Sequence, residues 1–142
     1  MTPQERAAKR RRVQQQLNSA KSALRAKEAE KRMYEQKSRD ISSIVSRLNG
    51  IKGKISAKSA QARSMVSTPN AGFAGYLYNS VYVPSLNSIT SGYQAAIGGI
   101  GANVGLLNQK KTEFDKKAKA CEGPIRNLKA RVQSLSWQLA NC

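Results

Sequence analysis

Apolar residues recur along this chain at alternating three- and four-residue steps. Val13, Leu17, Ala20, Leu24, Tyr34, Ile41, Val45, Leu48, Ile55, Ala62 and Val66 form one such stripe. Leu86, Ile89, Tyr93, Ile97, Ile100, Val104, Leu107, Phe114, Ala118, Cys121, Ile125, Leu128, Val132, Leu135 and Leu139 form a second. A spacing that averages 3.5 residues keeps every member on one face of an α-helix, so the pattern predicts two long helices, each with a coiled-coil seam. Lys27, Lys31, Ser38, Lys52 and Ser59 fall on the first stripe, which is therefore expected to fray or to need a partner chain. Ile44 and Ile51 widen it, and Lys111 is the charged intruder in the second.

The signals between the stripes set the boundaries. Thr2-Pro3-Gln4-Glu5 reads as a capping box with proline at the first helical position. Thr68-Pro69-Asn70-Ala71-Gly72 is a breaker cluster, and Pro84 suits the first turn of a returning helix that starts near Val83. Gly123-Pro124 predicts a kink, because a proline inside a helix removes one backbone hydrogen bond and crowds the preceding turn. The expected architecture is all-α: an elongated antiparallel helical hairpin, or coiled coil, forming part of a bundle with a partner. It is read as one domain over 1–142, with arm 1 at about 3–66, a tip at about 67–83 and arm 2 at about 84–142, kinked near 124. At 1.5 Å per residue, each arm would run to roughly 90 Å.

Charge alters this picture more than composition does. The chain carries 25 Lys and Arg against 8 Asp and Glu, a formal charge of +17 that favours polyanions or acidic partners. Seventeen of the cations lie in 1–66 and eight in 110–142, whereas 64–109 holds no charged residue. There is no histidine, and the few carboxylates form no catalytic set, which argues against an enzyme, a metal centre or a bound cofactor. Two cysteines make no disulfide framework. Cys121 reads as a small buried hydrophobe, and Cys142 could pair between chains under oxidising conditions.

Within the uncharged block, Tyr76, Tyr78, Tyr82 and Tyr93 read as an interface core or as packing for the end of the hairpin. Gly98, Gly101 and Gly105 read as a place of close approach by another helix, with a broken helix as the alternative. No apolar run follows the basic N-terminus, so no cleavable signal peptide is expected, and no stretch is apolar enough for a stable membrane span.

Phe73-Ala74-Gly75, in a charge-poor turn between two amphipathic helices, resembles the Trp-x-Gly turn of the helical hairpins of type VII secretion. The likeness is nearest to the small hairpin proteins that accompany LXG-domain toxins, with phenylalanine replacing tryptophan. Phe73 and Gly75 are the positions that carry it. The resemblance implies a non-enzymatic targeting partner that binds the helical domain of a toxin. It would reside in the bacterial cytoplasm before export and leave without a cleaved signal peptide. No Tyr-x-x-x-Asp/Glu motif is present, so the partner would supply any export signal of that kind. The surfaces expected to meet this partner are Tyr76, Tyr78, Tyr82, Tyr93, Gly98, Gly101 and Gly105, with Leu17, Leu24, Ile41, Leu48, Ile55, Leu107, Phe114, Leu128 and Leu135 as the seam. The alternatives are a second copy in the partner's place, or a basic coiled coil that binds nucleic acid or acts as a stalk in another secretion or phage assembly.

Overall fold

The computed structural model describes residues 1–67, 75 and 78–142, with backbone only at 66, 67 and 78. It is an all-α helical hairpin: α1 spans Pro3–Ser67, a π-helical turn at Tyr78–Tyr82 leads into α2 at Val83–Ala120, and α3 covers Glu122–Ala140. No strand occurs among the described residues. The breaker cluster at 68–72 lies outside them.

The start of α1 is the capping box read from the sequence. The Glu5 amide donates to Thr2 Oγ1 at 3.1 Å, and the Thr2 amide donates to Glu5 Oε2 at 2.6 Å. Pro3 has no N–H, so the cap engages two of the three amide donors left unpaired at the start of α1. Pro84 is the second residue of α2, directly after the π-helical turn at Tyr78–Tyr82.

The chain divides into two compact units. The first joins Met1–Arg39 to Lys111–Cys142 as an antiparallel pair. Its core is Val13, Leu17, Ala20 and Leu135, against which Val132, Leu139 and Cys142 pack. Farther along the seam Tyr34 stacks on Phe114, with ring centroids 6.1 Å apart. Lys37 and Lys117 bring their ammonium groups to 5.2 and 5.8 Å from the Phe114 centroid. Both lysines directly precede a seam residue, so in this antiparallel pair such positions of the two helices open on the same side.

The second unit is Asp40–Lys110, which pairs the end of α1 with the start of α2. Ile41 and Ala62 are buried, while Leu48, Ile55, Tyr93, Ile97, Ile100, Val104 and Leu107 are half-buried. A two-helix seam without a third layer covers only one side of each side chain, which is why its core is narrow.

The polar members of the α1 seam lie within the continuous helix, and Lys27, Lys31, Ser38 and Ser59 find polar partners. In the first unit Lys31 Nζ lies 3.6 Å from Glu122 Oε1, and the Ser38 hydroxyl donates to Asp115 Oδ1. In the second, Gln94 Nε2 donates to Ser59 Oγ at 3.1 Å, and Lys52 Nζ lies 3.9 Å from where a Cβ on Gly101 would be. The two residue numbers in each pair add to 153. Lys27 is held within α1 by Glu30 at 3.0 Å, which raises its pKa chiefly through that hydrogen bond.

The second arm is bent as Gly123-Pro124 predicts: Cys121, between α2 and α3, keeps αR geometry at φ −76° and ψ −20°, and its amide turns to the Ala118 carbonyl at 3.1 Å. Its thiol donates to the Lys117 carbonyl at 3.3 Å. Pro124 thus falls in the first turn of α3, where its N–H would have no partner in the helix. Two expectations change. Ile89 is off the seam and 47 % exposed; Thr90 takes its place, half-buried, with its hydroxyl donating to the Leu86 carbonyl at 2.9 Å. The close approach expected at Gly98, Gly101 and Gly105 is not made within the chain. A Cβ at Gly98 or Gly105 would meet nothing within 4 Å, and one at Gly101 would meet only the end of Lys52.

Candidate partner-binding surface

The features with most potential to bind lie in the second unit. All of α2 from Val83 to Gln109 is uncharged, so any face it turns to water is held there without charge. Ile89, Gly92, Ala96, Gly99, Asn103 and Leu106 follow one another in steps of three and four, and all are exposed. They form a second stripe beside the seam. It has bulky ends, with Ile89 at 47 % and Leu106 at 63 % exposure, and a floor of small residues between them. A Cβ on Gly92 or Gly99 would meet nothing within 4 Å, so the floor is open to an incoming side chain.

Ile44 and Ile51 of α1 adjoin this stripe. They directly precede Val45 and Lys52 of the seam, as Ile89 and Ala96 precede Thr90 and Ile97. Positions of this kind on two antiparallel helices share a side, so the sequence's wide stripe is in fact a flank left bare. Ile44 is 44 % and Ile51 47 % exposed. Scattered apolar residues on a surface are ordinary, but a line of them on one side of a helix pair is the arrangement a further helix needs.

The residues singled out from the sequence are distributed unevenly. Gly75 is exposed. Phe73 and Tyr76 lie outside the described residues, and Tyr78 has only its backbone described, in the π-helical turn. Tyr82 and Tyr93 are half-buried, Tyr93 in the seam itself. Gly98, Gly101 and Gly105 lie on the opposite flank of α2 from the bare stripe. Among the seam residues Leu17, Ile41 and Leu135 are buried, and Leu24, Leu48, Ile55, Leu107, Phe114 and Leu128 are half-buried. The sequence reading did not find the stripe from Ile89 to Leu106. A search for uncharged residues repeating with the seam's own spacing, shifted by one or two positions, would have shown it.

Asp115 is a perturbed acidic group of the first unit. Hydrogen bonds from Ser38 and then from Lys111, the latter at 2.9 Å, hold its carboxyl below the usual carboxylate range. The carboxylate thereby ties Ser38 of α1 to Lys111 and Asp115 of α2. Among the described residues no helix is long and apolar enough to cross a membrane.

No protein-family model matches the chain, and comparison with curated proteins and with solved structures gives no match.

Proposed function

We propose that the chain is a non-enzymatic partner protein whose hairpin binds a helical toxin or effector domain and accompanies it to a type VII-type secretion machine. The observation that carries the binding half of this reading is the uncharged, exposed stripe of α2 from Ile89 to Leu106, flanked by Ile44 and Ile51. A helix laid along it would bury four large aliphatic side chains, each contributing on the order of 1 kcal/mol once taken from partial to full burial. Small residues at Gly92, Ala96 and Gly99 leave room for the partner's larger ones. The export half rests on the Phe73-Ala74-Gly75 resemblance. In this reading the protein works in the bacterial cytoplasm before export.

The test is co-expression with the product of the neighbouring gene, followed by size-exclusion chromatography. The expected result is co-elution of the two chains, abolished when Ile89→Glu and Leu106→Glu are combined. Absence of a complex with any adjacent helical protein, or a complex indifferent to both substitutions, would refute the reading.

A further inference from the structure

We infer that the first unit carries a linear binding surface for the phosphate backbone of a nucleic acid, built on an arginine ladder along α1. Arg11, Arg25, Arg32 and Arg39 each directly follow a seam position, those of Arg10, Leu24, Lys31 and Ser38. They therefore project from one flank at multiples of seven residues, over a length of about 42 Å at 1.5 Å per residue. Asn18 occupies the seventh-residue position between Arg11 and Arg25. Lys119 and Arg126 directly follow the seam residues Ala118 and Ile125, so arm 2 adds them to the same flank. The 4.0 Å ion pair between Glu28 and Lys129 crosses between the two helices on this side.

The distribution of ion pairs separates these cations from a merely solvated surface. Seven carboxylates belong to this unit, and Glu5 is engaged in the helix cap. The other six pair with lysines: Glu30 with Lys27, Glu35 and Glu122 with Lys31, Asp115 with Lys111, Glu113 with Lys117, and Glu28 with Lys129. All nine arginines of the unit are exposed, and none has an ion pair among the described residues. The carboxylates on the ladder's own flank, Glu28, Glu35, Asp115 and Glu122, are thus already neutralised, and the surplus positive charge resides on nine guanidinium groups and on the ammonium groups of Lys9, Lys21, Lys37, Lys116 and Lys119. The guanidinium groups are the ones whose planar, forked donors match phosphate oxygens.

The residues between the rungs decide the class of partner. Gln14, Gln15, Ser22, Ala29 and Gln36 lie there. Gln15 and Ser22 offer side-chain hydrogen bonds of the kind that accompany phosphate contacts, while Gln14 donates to Asn18 and Gln36 accepts from the ladder's own Arg39 at 2.8 Å. None of the five offers a bulky apolar group to insert into a bilayer or an apolar core for a protein interface. At the start of the ladder an open depression of about 460 Å³ is lined by Ala7, Arg10, Arg11, Gln14 and Gln15, giving two guanidinium groups and two amides around one concavity. No base-reading element adjoins the ladder, so binding would be indifferent to sequence. This surface is independent of the stripe on the second unit.

The experiment is fluorescence anisotropy of the full chain on a labelled 30-base-pair duplex, as a function of salt. It compares the wild type with Arg25→Gln/Arg32→Gln/Arg39→Gln and with a control of equal charge, Lys9→Gln/Lys116→Gln/Arg131→Gln, drawn from unpaired cations off the ladder. The expected result is micromolar or tighter binding by the wild type near 100 mM salt. The ladder triple should weaken it at least about tenfold and lower the salt slope by roughly 2 to 3, with the control losing much less. Equal losses in both triples would mean diffuse attraction and overturn the ladder. So would absence of duplex binding by the wild type, including the case in which it binds only vesicles of anionic lipid. Circular dichroism of both triples distinguishes loss of binding from loss of fold.

Discussion

The contact between Ser59 and Gln94 allows a test in which sign, and not only size, is predicted. Ser59 is the most buried side chain among the described residues, at 2 % exposure, and its hydroxyl oxygen accepts from Gln94 Nε2 at 3.1 Å. Gln94 itself is exposed. Replacing Gln94 by leucine leaves a buried hydroxyl without this donor, which costs about 1–3 kcal/mol for a group removed from water. The lower end applies, because a helical serine can turn its hydroxyl to the carbonyl four residues back. Replacing Ser59 by alanine instead removes the buried polar group and returns Gln94 to solvent, and alanine is the better helix former by a few tenths of a kcal/mol. Gln94→Leu should therefore lower stability by about 1 kcal/mol, while Ser59→Ala is neutral or slightly stabilising. The double variant should recover most of what Gln94→Leu loses. Urea unfolding followed by circular dichroism measures all three, with about ±0.3 kcal/mol needed to resolve the coupling. Equal destabilisation by the two single variants would refute the assignment of Ser59 as a desolvated acceptor in the seam.

Other outcomes follow from the same structure. Leu17→Ala removes the centre of the cluster with Val13, Ala20 and Leu135, where Leu17 is 3 % exposed, and should cost about 2–4 kcal/mol in the same unfolding assay. Because the Asp115 carboxyl is held below its ordinary range, its contribution is present above the unfolded pKa and lost as pH falls through the lower folded one. Stability should thus decline in acid below about pH 4, and Ser38→Ala should move the Asp115 titration, followed by NMR, upward. Pro124→Ala should change stability by less than about 1 kcal/mol, against roughly 3 for a proline in a helix interior, because the residue stands in the first turn of α3.

Much of the fold was legible because the seam is a local pattern. The residues from Val13 to Ala62 that repeat every three or four positions are buried or half-buried, including Lys27, Lys31 and Lys52, whose charge had suggested weakness. What could not be read was the register. Nothing in the first arm indicates that Lys31 meets Glu122 or that Ser59 meets Gln94, because each pairing depends on residues far along the chain. The choice between Ile89 and Thr90 failed for a related reason. Hydrophobicity favours isoleucine, but the four-residue steps from Leu86 to Thr90 and from Tyr93 to Ile97 keep phase only through threonine. Pro124 was legible as the cause of a bend, and only the residue that carries it, Cys121, could not be read, since cysteine has no breaking tendency of its own. The glycines of α2 lie on two flanks: Gly92 and Gly99 in the apolar stripe, and Gly98, Gly101 and Gly105 on the other side, where Gly98 and Gly105 are exposed as well.

Everything rests on the antiparallel pairing and its offset, which distances between spin labels measure directly in the second unit. One label is placed at Lys58 and the other in turn at Ser88, Ala95 and Ala102, three exposed positions spaced by sevens on one face of α2, with Cys121 and Cys142 replaced by alanine. The account predicts the shortest distance at Ala95, with longer ones on either side as the axial offset grows by about 10.5 Å per seven residues. A distance that rises or falls steadily through the three positions, or a minimum at Ser88 or Ala102, would contradict it.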